Sequence, residues 1–438
     1  MPDGGIARWL ERRPRFVLLL VAGLSLVAYL RALGLPFIAD DYLQITLARQ
    51  FGPISGWASL ASDGLYRCRA TSLVLTYWTE RLFGLDPGVY NISSLILHIV
   101  NAWLVFALGC WRPIGWRISA VAACFFAFHQ AHQEAVVWYS ALPELLVFFF
   151  ALASFLCWIL WMQDAISRPW LYTASLALFV LALLSKESAV VVVGLMLLSV
   201  ALERTGWRRK IVWIVPFALL AASYFLWTFA TRAGHLHFHD GTFSLKGPVW
   251  IVLPRSAFRL LWFWGIVSLA ALAWWRARQH ANLLRFAAAW IVITLLPYSF
   301  LTYMPHVPSR HTYFASVGLS LILAAGFLVV QERFRARPAV TWILAAVIVG
   351  HHCTYLWTRK HEQYVVRAAP TEAVVEHARQ SPGPVYVECF PYDISLVGMA
   401  VEIRLPDRPV PVVEGSGARD GLNLCRGFGG RAEMPQVR

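Results

Sequence analysis

The sequence predicts an all-α polytopic membrane protein with about eleven transmembrane helices and a small C-terminal extracytoplasmic α/β segment. Of its 438 residues, 58% are hydrophobic and only 14% are charged, too few polar groups to cover a water-soluble globule of this size. Apolar runs of spanning length recur from Phe16 to about Trp357, and helices satisfy their own backbone polar groups where water is absent. We therefore expect a transmembrane domain over residues 1–357 and a C-terminal domain over residues 358–438.

The distribution of basic residues predicts the orientation in the membrane. The formal charge of +14 does not indicate a nucleic-acid-binding protein, because Lys and Arg lie in short clusters between apolar runs. The clusters occupy the N-terminus and alternate loops: Arg8, Arg12, Arg13 and Arg15; Arg112 and Arg117; Arg168; Arg204, Arg208, Arg209 and Lys210; Arg276, Arg278 and Arg285; Arg333, Arg335 and Arg337. Because cytoplasmic loops are rich in Lys and Arg, the N-terminus is expected in the cytoplasm and the C-terminus outside.

The composition also indicates a cellular location. The Arg-rich, Lys-poor balance is typical of a bacterium of high genomic GC content. The protein is therefore expected in the cell inner membrane, with its C-terminus in the periplasm. The seven Cys are scattered without a Cys-x-x-Cys pair, so no zinc site or disulfide framework is indicated. Cys389 and Cys425 could pair in an oxidising compartment.

The first outside loop, about residues 36–89, opens with two adjacent carboxylates, Asp40 and Asp41, directly after the first predicted span. Adjacent residues point in different directions, so one carboxylate could face a substrate while a partner braces the other. Helix capping is the plainer interpretation. Both interpretations stay open at this point.

Other predicted outside loops also carry ionisable side chains. The second loop contains His129, His132 and Glu134, residue types that bind metals, although their spacing is not a standard ligand spacing. Later loops add Lys186, Glu187, Arg310, His311 and Tyr313. Such a concentration of ionisable groups on one side of the membrane is unusual for simple connectors and indicates a functional site there.

The C-terminal segment has a different pattern. Beyond Trp357 the hydropathy falls, and residues 382–414 alternate in the manner of short strands. The predicted strands are Val385 to Val387, Val401 with Ile403, and Val410 to Val413.

Five segments occur in a recognisable order: Asp40-Asp41-Tyr42; Arg69 before Leu82-Phe83-Gly84; Phe128 to Trp138, against the pattern FxHPxHxEAVxW; Leu183 to Glu187, against LLSKE; and Ser309 to Tyr313 before Ser316-Val317-Gly318, against ERYxYxxSVG. They resemble the C-type (GT-C) glycosyltransferases, and within them the transmembrane-and-tetratricopeptide O-mannosyltransferases and their bacterial relatives. The likeness covers roughly residues 16–364. Ala70 and Gln130 replace the family's prolines, Ser309 replaces an acid, and no tetratricopeptide repeats follow.

The resemblance implies an inverting hexosyltransferase. Its donor would be a polyprenyl-phosphate-linked sugar, such as a mannose-like one, and its acceptor a hydroxyl on the outer face of the membrane, on a protein, lipid or glycan. A multi-span transporter or lipid flippase is the alternative. That alternative predicts ionisable groups near mid-membrane and broken helices at matching places in two halves, whereas the ionisable cluster here lies at the outer ends of the spans.

The resemblance also assigns roles to residues. Asp40 is the expected catalytic base and Asp41 the second choice, because a sugar hydroxyl needs a carboxylate to remove its proton. Three side chains are expected to bind the donor phosphate: Arg310, Arg69 and Lys186. Five are expected to position the acceptor or a metal: His129, His132, Glu134, Glu187 and Tyr313. A divalent metal held by Asp41, His132 and Glu134 is left open, as are the sugar and the acceptor.

Overall fold

The computed structural model describes residues 14–163, 168–203, 207–232, 242–302, 305–381, 383–407, 410–415 and 421–425. The basic N-terminal residues Arg8, Arg12 and Arg13, and Arg204 in the third basic loop, lie outside the described residues. The described chain is predominantly helical, as the sequence predicts.

The helices are α1 (Pro14–Tyr29), α2 (Ala39–Phe51), α3 (Gly64–Arg67), α4 (Ala70–Phe83), α5 (Pro87–Ala107), α6 (Gly115–Ala127), α7 (Gln133–Val137), α8 (Leu142–Gln163), α9 (Trp170–Leu183), α10 (Val191–Glu203), α11 (Trp207–Ala230), α12 (Val249–Leu261), α13 (Trp264–Trp274), α14 (Ala281–Leu295), α15 (Ser316–Arg333), α16 (Pro338–Tyr355), α17 (His361–Gln380) and α18 (Ile394–Arg404). A π-helical turn, Leu356–Lys360, joins α16 to α17. The strands are β1 (Val385–Cys389), β2 (Val412–Glu414) and β3 (Leu422–Asn423).

Several of these helices have the length and apolar composition of membrane spans. Six helical segments of the described chain meet both criteria: Pro14–Gly34, Pro87–Cys110, Tyr139–Gln163, Lys210–Ala230, Ser316–Arg333 and Pro338–Gln380. The pair α12 and α13 counts as a seventh if it is one span, although the chain bends by 79° between them. The protein is therefore a multi-pass membrane protein, and the count of about eleven spans stays a prediction.

Small residues allow the central helices to approach closely. Helix α15 is buried continuously from Ser316 to Gly326. A Cβ atom at Gly318 would lie 2.5 Å from the carbonyl oxygen of Ala287 in α14, and one at Gly326 would lie 2.7 Å from Cβ of Ser268 in α13. Only glycine fits at these two crossings, which follows the general use of small residues between membrane helices.

The C-terminal segment forms a small three-stranded parallel sheet in the order β2-β1-β3. The strands predicted at Val385 and near Val412 are confirmed, but the prediction of a strand at Val401 and Ile403 is wrong. Those two residues belong to α18, which begins after Asp393, whose carboxylate accepts the N–H of Ser395 at 2.8 Å. An N-cap of this kind favours a helix over an alternating strand.

The same segment packs on the helix that carries the adjacent carboxylates. Val387 of β1 and Val401 of α18 lie in one hydrophobic cluster with Tyr42 and Ile45 of α2. The predicted pairing of Cys389 with Cys425 is confirmed as a disulfide, which joins the end of β1 to the residues after β3. Helix α2 thus lies between the membrane helices and the C-terminal segment.

Candidate active site

The two adjacent carboxylates begin α2 and have different surroundings. Asp41 is 3% exposed, and its two oxygens accept the backbone N–H of Ile38 at 2.8 Å and of Ser140 at 2.7 Å. Burial raises the pKa of Asp41 to about 7, against the lowering effect of those two hydrogen bonds. Asp41 therefore ties the start of α2 to the chain before α8, which is the bracing arrangement that the sequence left open.

Asp40 has no such anchoring bonds to the described residues, and it lies within the electrostatic influence of two arginines. Burial raises the pKa of its carboxyl group, while the positive charges of Arg367 and Arg310 act to lower it. The net shift is upward. A carboxylate with a raised pKa accepts a proton more readily than an ordinary aspartate near neutral pH.

Arg310 and Arg367 both contact the indole ring of Trp138. The guanidinium carbon of Arg310 lies 5.0 Å from the ring centroid of Trp138, and that of Arg367 lies 4.5 Å from it. The backbone N–H of Arg310 also donates to Glu134 at 3.1 Å, and the two side chains form an ion pair at 3.8 Å. Burial acts to raise the pKa of Glu134, but the positive charge and the backbone N–H of Arg310 lower it further, so the net shift is downward. Glu134 is therefore ionised. Glu134 thereby holds Arg310 beside Asp40.

Arg367 is a candidate site residue that the sequence analysis did not single out. It lies on α17, beyond the matched motifs, and its Nε atom is buried without a hydrogen-bond partner among the described residues. In the sequence, Arg367 is marked by nothing more specific than the fall in hydropathy beyond Trp357. Arg310 and Arg367 thus both contact Trp138 and both lie close enough to Asp40 for their charges to act on its pKa, a combination suited to an anion and a proton donor.

Lys186 belongs to a buried network centred on a second missed residue, Glu144. The Lys186 ammonium forms an ion pair with Glu144 Oε1, and His311 Nδ1 lies 2.5 Å from the same oxygen. The hydroxyl of Tyr298 donates to Glu144 Oε2 at 2.8 Å. Glu144 lies in the first turn of the apolar helix α8. Its position could have been recognised from the sequence, because ionisable residues within membrane helices are usually functional or paired.

Arg69 and Glu187 form a neighbouring ion pair. Arg69 Nη1 lies 3.2 Å from Glu187 Oε2 and also donates to the carbonyl of Cys68 at 2.7 Å. The positive charges of Arg69 and Lys186 are therefore each balanced by a nearby carboxylate.

An apolar cavity adjoins these ion pairs. Its volume is about 290 Å³, and its polar end is formed by Lys186, Glu187, Ser188 and His311. The remaining wall comes mainly from α11, the segment around Phe243 and the end of α14: Val190, Tyr224, Phe225, Thr228, Phe243, Leu245, Leu296, Pro297, Tyr298, Phe300 and Leu301. A charged end on an apolar cavity of this size matches an amphiphile.

The structure places His129, His132 and Tyr313 inside the helix bundle. His132 Nε2 bonds to Ser316 Oγ at 2.6 Å, and the Tyr313 hydroxyl lies 2.8 Å from Nδ1 of His98. Burial, with a contribution from the nearby His129, lowers the pKa of His132 well below its usual value, so its ring is neutral. These side chains pack against one another rather than line the 290 Å³ cavity.

The proposed metal ligands do not converge. No group of three or more His, Cys, Asp or Glu in the described ranges is arranged to hold a metal ion. Asp41 binds backbone amides, His132 binds a serine, and Glu134 binds Arg310. The residues Asp41, His132 and Glu134 therefore do not fit a shared divalent-metal site.

Comparison with solved structures defines the class of fold. The chain matches ArnT from Cupriavidus metallidurans bound to undecaprenyl phosphate with a TM-score of 0.54 and 13% identity, covering 92% of this chain and 86% of that one. It matches the archaeal oligosaccharyltransferase AglB from Archaeoglobus fulgidus, in complex with an inhibitory peptide and a dolichol-phosphate, with a TM-score of 0.54 and 10% identity, covering 90% and 64%. The fold is that of the C-type glycosyltransferases.

Sequence comparison then identifies the more specific relatives. The chain is 28% identical over 158 residues to the protein O-mannosyl-transferase tmtc2 of Xenopus laevis, covering 32% of this chain and 18% of that protein. It is 28% identical over 188 residues to human TMTC3, also named a protein O-mannosyl-transferase, covering 40% and 20%. The matches thus span about a fifth of the length of these relatives, and no protein-family model matches the chain. The predicted resemblance to the C-type glycosyltransferases and to the O-mannosyltransferases among them is confirmed.

Proposed function

We propose that the protein is an inverting glycosyltransferase that moves a sugar from a polyprenyl-phosphate carrier to a hydroxyl acceptor on the outer face of the membrane. The observation that carries the proposal is the arrangement of Asp40 with Arg310 and Arg367, both of which contact Trp138. This arrangement combines a base with groups that bind a phosphate. The names of the sequence relatives favour mannose as the sugar.

The proposed chemistry begins at Asp40. The acceptor oxygen attacks the anomeric carbon of the sugar from the face opposite the phosphate, and Asp40 takes the acceptor's proton as the new C–O bond forms. Such general-base catalysis contributes ~10²–10⁴ in rate. The bond to the phosphate breaks, the polyprenyl phosphate leaves as a stable anion, and the configuration at the anomeric carbon is inverted. Asp41 holds α2 in position through its two backbone bonds.

The arginines are proposed to bind the donor phosphate. A guanidinium group binds phosphate oxygens in pairs and stabilises the negative charge that grows on the leaving group. Arg310 is oriented by Glu134 and Trp138, and Arg367 adds a second charge to the same place. Lys186 and Arg69, each already paired with a carboxylate, would contribute at the boundary between this site and the apolar cavity.

The apolar cavity is proposed to hold part of the isoprenoid tail. Its volume of about 290 Å³ suits a portion of the chain, with the charged end at Lys186 directed toward the phosphate. The undecaprenyl phosphate and dolichol-phosphate named in the two structural neighbours support a carrier of this class. A membrane-embedded enzyme is required because such a tail stays in the bilayer.

The proposed test is transfer by the purified full-length protein. Labelled polyprenyl-phosphate mannose would be incubated with the wild type, with Asp40→Asn and with Asp86→Asn, together with bacterial membrane extract as acceptor. Asp86 is a suitable control because it is an N-cap in the same predicted outside loop, where Asn serves equally well. We expect label to leave the carrier with the wild type and the Asp86 variant only. Equal transfer by the Asp40 variant, or label retained on the carrier throughout, would contradict the proposal.

A further inference from the structure

Helix α12 is turned away from the direction of the membrane spans. The chain bends by 79° between α12 and α13, at a turn that includes Phe263, whose φ of 57° is uncommon for a residue with a side chain. Helix α13 then packs along α15, where Gly265 lies beside Leu319. Further along, Ser268 lies against Gly326. Because α15 has the composition of a span and begins next to the candidate active site, α12 lies along the membrane surface on the side of that site.

Helix α12 presents three different sides. Its inward side is the buried row Val252, Ser256 and Leu260. A second side carries two exposed arginines, Arg255 and Arg259, which are four residues apart and therefore neighbours on one face. A third side faces away from the protein and carries exposed aromatic rings: Trp250, Phe258 and Trp262. Basic and aromatic side chains in this arrangement are typical of a helix at the interface between lipid and water.

The inward side of α12 holds the segment that carries Arg310. The hydroxyl of Ser256 accepts the backbone N–H of Val307, three residues before Arg310, at 3.0 Å. The chain just before α12 also forms part of the wall of the 290 Å³ cavity, through Phe243 and Leu245. Helix α12 is thus joined to both parts of the proposed donor site, while its aromatic side faces lipid.

Positive charges continue from α12 to the candidate active site. Lys360, in the π-helical turn before α17, lies close enough to Arg259 for the two charges to interact. The charge of Arg367 also acts on Lys360, and in turn on Asp40. Lys360 donates one hydrogen bond, to Gln363 Oε1 at 2.8 Å, and an ammonium group has three N–H donors, so two are left for a ligand. A row of cations thus leads from the exposed surface of α12 to the proposed phosphate site.

We infer that α12 is a docking site for the lipid-linked donor, at which Arg255 and Arg259 bind the phosphate before Lys360 and Arg367 take it to Asp40. The inference rests on the proposed transferase function and adds a binding step ahead of the chemistry. Two guanidinium groups on one face suit a phosphate. The aromatic side suits an isoprenoid tail, because both are apolar and lie at the same depth in the bilayer. The donor therefore reaches the site without leaving the membrane.

Kinetics of the reconstituted full chain test the docking site. Transfer from labelled polyprenyl-phosphate mannose is measured in phosphatidylcholine vesicles over a range of donor fractions, so that kcat and KM are obtained separately. The wild type is compared with Arg259→Gln, with Lys360→Gln and with the control Arg81→Gln. Arg81 is a suitable control because it is an exposed arginine on α4, in the first predicted outside loop.

We expect KM for the donor to rise ~5-fold in Arg259→Gln and in Lys360→Gln, with kcat unchanged, because docking precedes the chemistry. Arg81→Gln should match the wild type. In the wild type, KM should also rise with salt, because exposed charges are screened. That salt dependence should be weaker in Arg259→Gln. An unchanged KM in Arg259→Gln, or a loss confined to kcat, would overturn the inference.

Photo-crosslinking locates the donor without relying on transfer. Benzoylphenylalanine replaces the exposed Phe258 of α12 or, as the control, the exposed Ile92 near the start of α5. The probes, in separate phosphatidylcholine vesicles, are labelled polyprenyl-phosphate mannose and labelled phosphatidylglycerol. We expect the donor to label position 258 ~5-fold more than position 92, and ~5-fold more than phosphatidylglycerol labels position 258. Arg259→Gln should remove most of the difference.

The two readouts separate the docking site from the proposed function. Equal donor labelling at the two positions would overturn the docking site, even if the wild type transfers sugar. Equal labelling of position 258 by phosphatidylglycerol would make α12 a surface for bulk anionic lipid and would likewise overturn the inference. Strong donor labelling at position 258 by a protein that transfers no sugar would support the docking site and contradict the proposed function.

Discussion

Arg404, near the C-terminus, donates a hydrogen bond to the hydroxyl of Tyr42 across 3.3 Å. Tyr42 follows the two aspartates at the start of α2, and its hydroxyl in turn donates to Glu372 at 3.3 Å. Arg404 and Glu372 also form an ion pair at 3.7 Å. The C-terminal segment therefore holds the first turn of α2, which carries Asp40.

This contact predicts a positioning role for the C-terminal segment. Arg404→Ala should lower kcat several-fold with little change in KM for the donor, because a small displacement of Asp40 weakens the chemistry more than the binding. Arg379→Ala, which removes an exposed ion pair elsewhere in the same segment, should leave kcat unchanged. Steady-state kinetics of both variants measure kcat and KM separately. A raised KM with an unchanged kcat would argue against a positioning role for Arg404.

Replacement of the proposed base should abolish chemistry without loss of folding. Asp40→Asn keeps the shape of the side chain but cannot accept a proton, so we expect transfer to fall at least ~100-fold with normal expression. In the wild type a base acts only when deprotonated. Since the pKa of Asp40 is raised above its ordinary value of 3.8, kcat/KM should fall with decreasing pH on a limb centred above pH 3.8. Near-normal turnover by Asp40→Asn would move the role to another carboxylate.

The phosphate clamp depends on the fork of a guanidinium group. Arg310→Lys keeps the charge but loses the paired hydrogen bonds of the guanidinium group and its contact with the Trp138 ring, and should cost about 1–3 kcal/mol of transition-state stabilisation. Arg310→Ala should cost more. Comparison of kcat/KM for both variants with one donor is the measurement. Full activity of the Lys variant would show that Arg310 does not bind the phosphate through its fork and only anchors its segment at the membrane surface.

The Lys186–Glu144 pair predicts a stability effect that is separate from catalysis. Glu144→Gln leaves the ammonium of Lys186 buried without its carboxylate, and should destabilise the fold by about 3–5 kcal/mol. Lys186→Met in the same protein should restore most of that loss, because both charges are then absent. Thermal unfolding in detergent of the single and double variants measures the coupling. Additive losses would contradict it.

The orientation predicts two reporter results. A reporter fused at Arg208 should behave as cytoplasmic and one at Ser381 as periplasmic, because the basic loops stay inside. Alkaline phosphatase and fluorescent-protein fusions at each position are the measurement. The opposite labelling at either position would reverse the assignment of every loop.

Hydropathy and local motifs made much of the fold predictable. Long apolar runs form helices in lipid because a helix satisfies all of its backbone polar groups within its own segment, so the apolar membrane helices follow from the sequence. The motifs placed Asp40 and Arg310 among the candidates, and the Cys389–Cys425 pairing was anticipated. The alternating pattern wrongly predicted a strand at Val401 and Ile403, where the N-cap Asp393 and packing on α2 favour a helix.

The sequence by itself therefore determined the membrane class, the family resemblance and the list of ionisable candidates, because these depend on composition and short-range pattern. Only the tertiary structure decided which aspartate is bound by backbone amides and which faces the arginines. It also brought Arg367 and Glu144 to the site from helices distant in the chain. Such partnerships arise from the packing of helices against one another, and no local pattern encodes which side chains will meet.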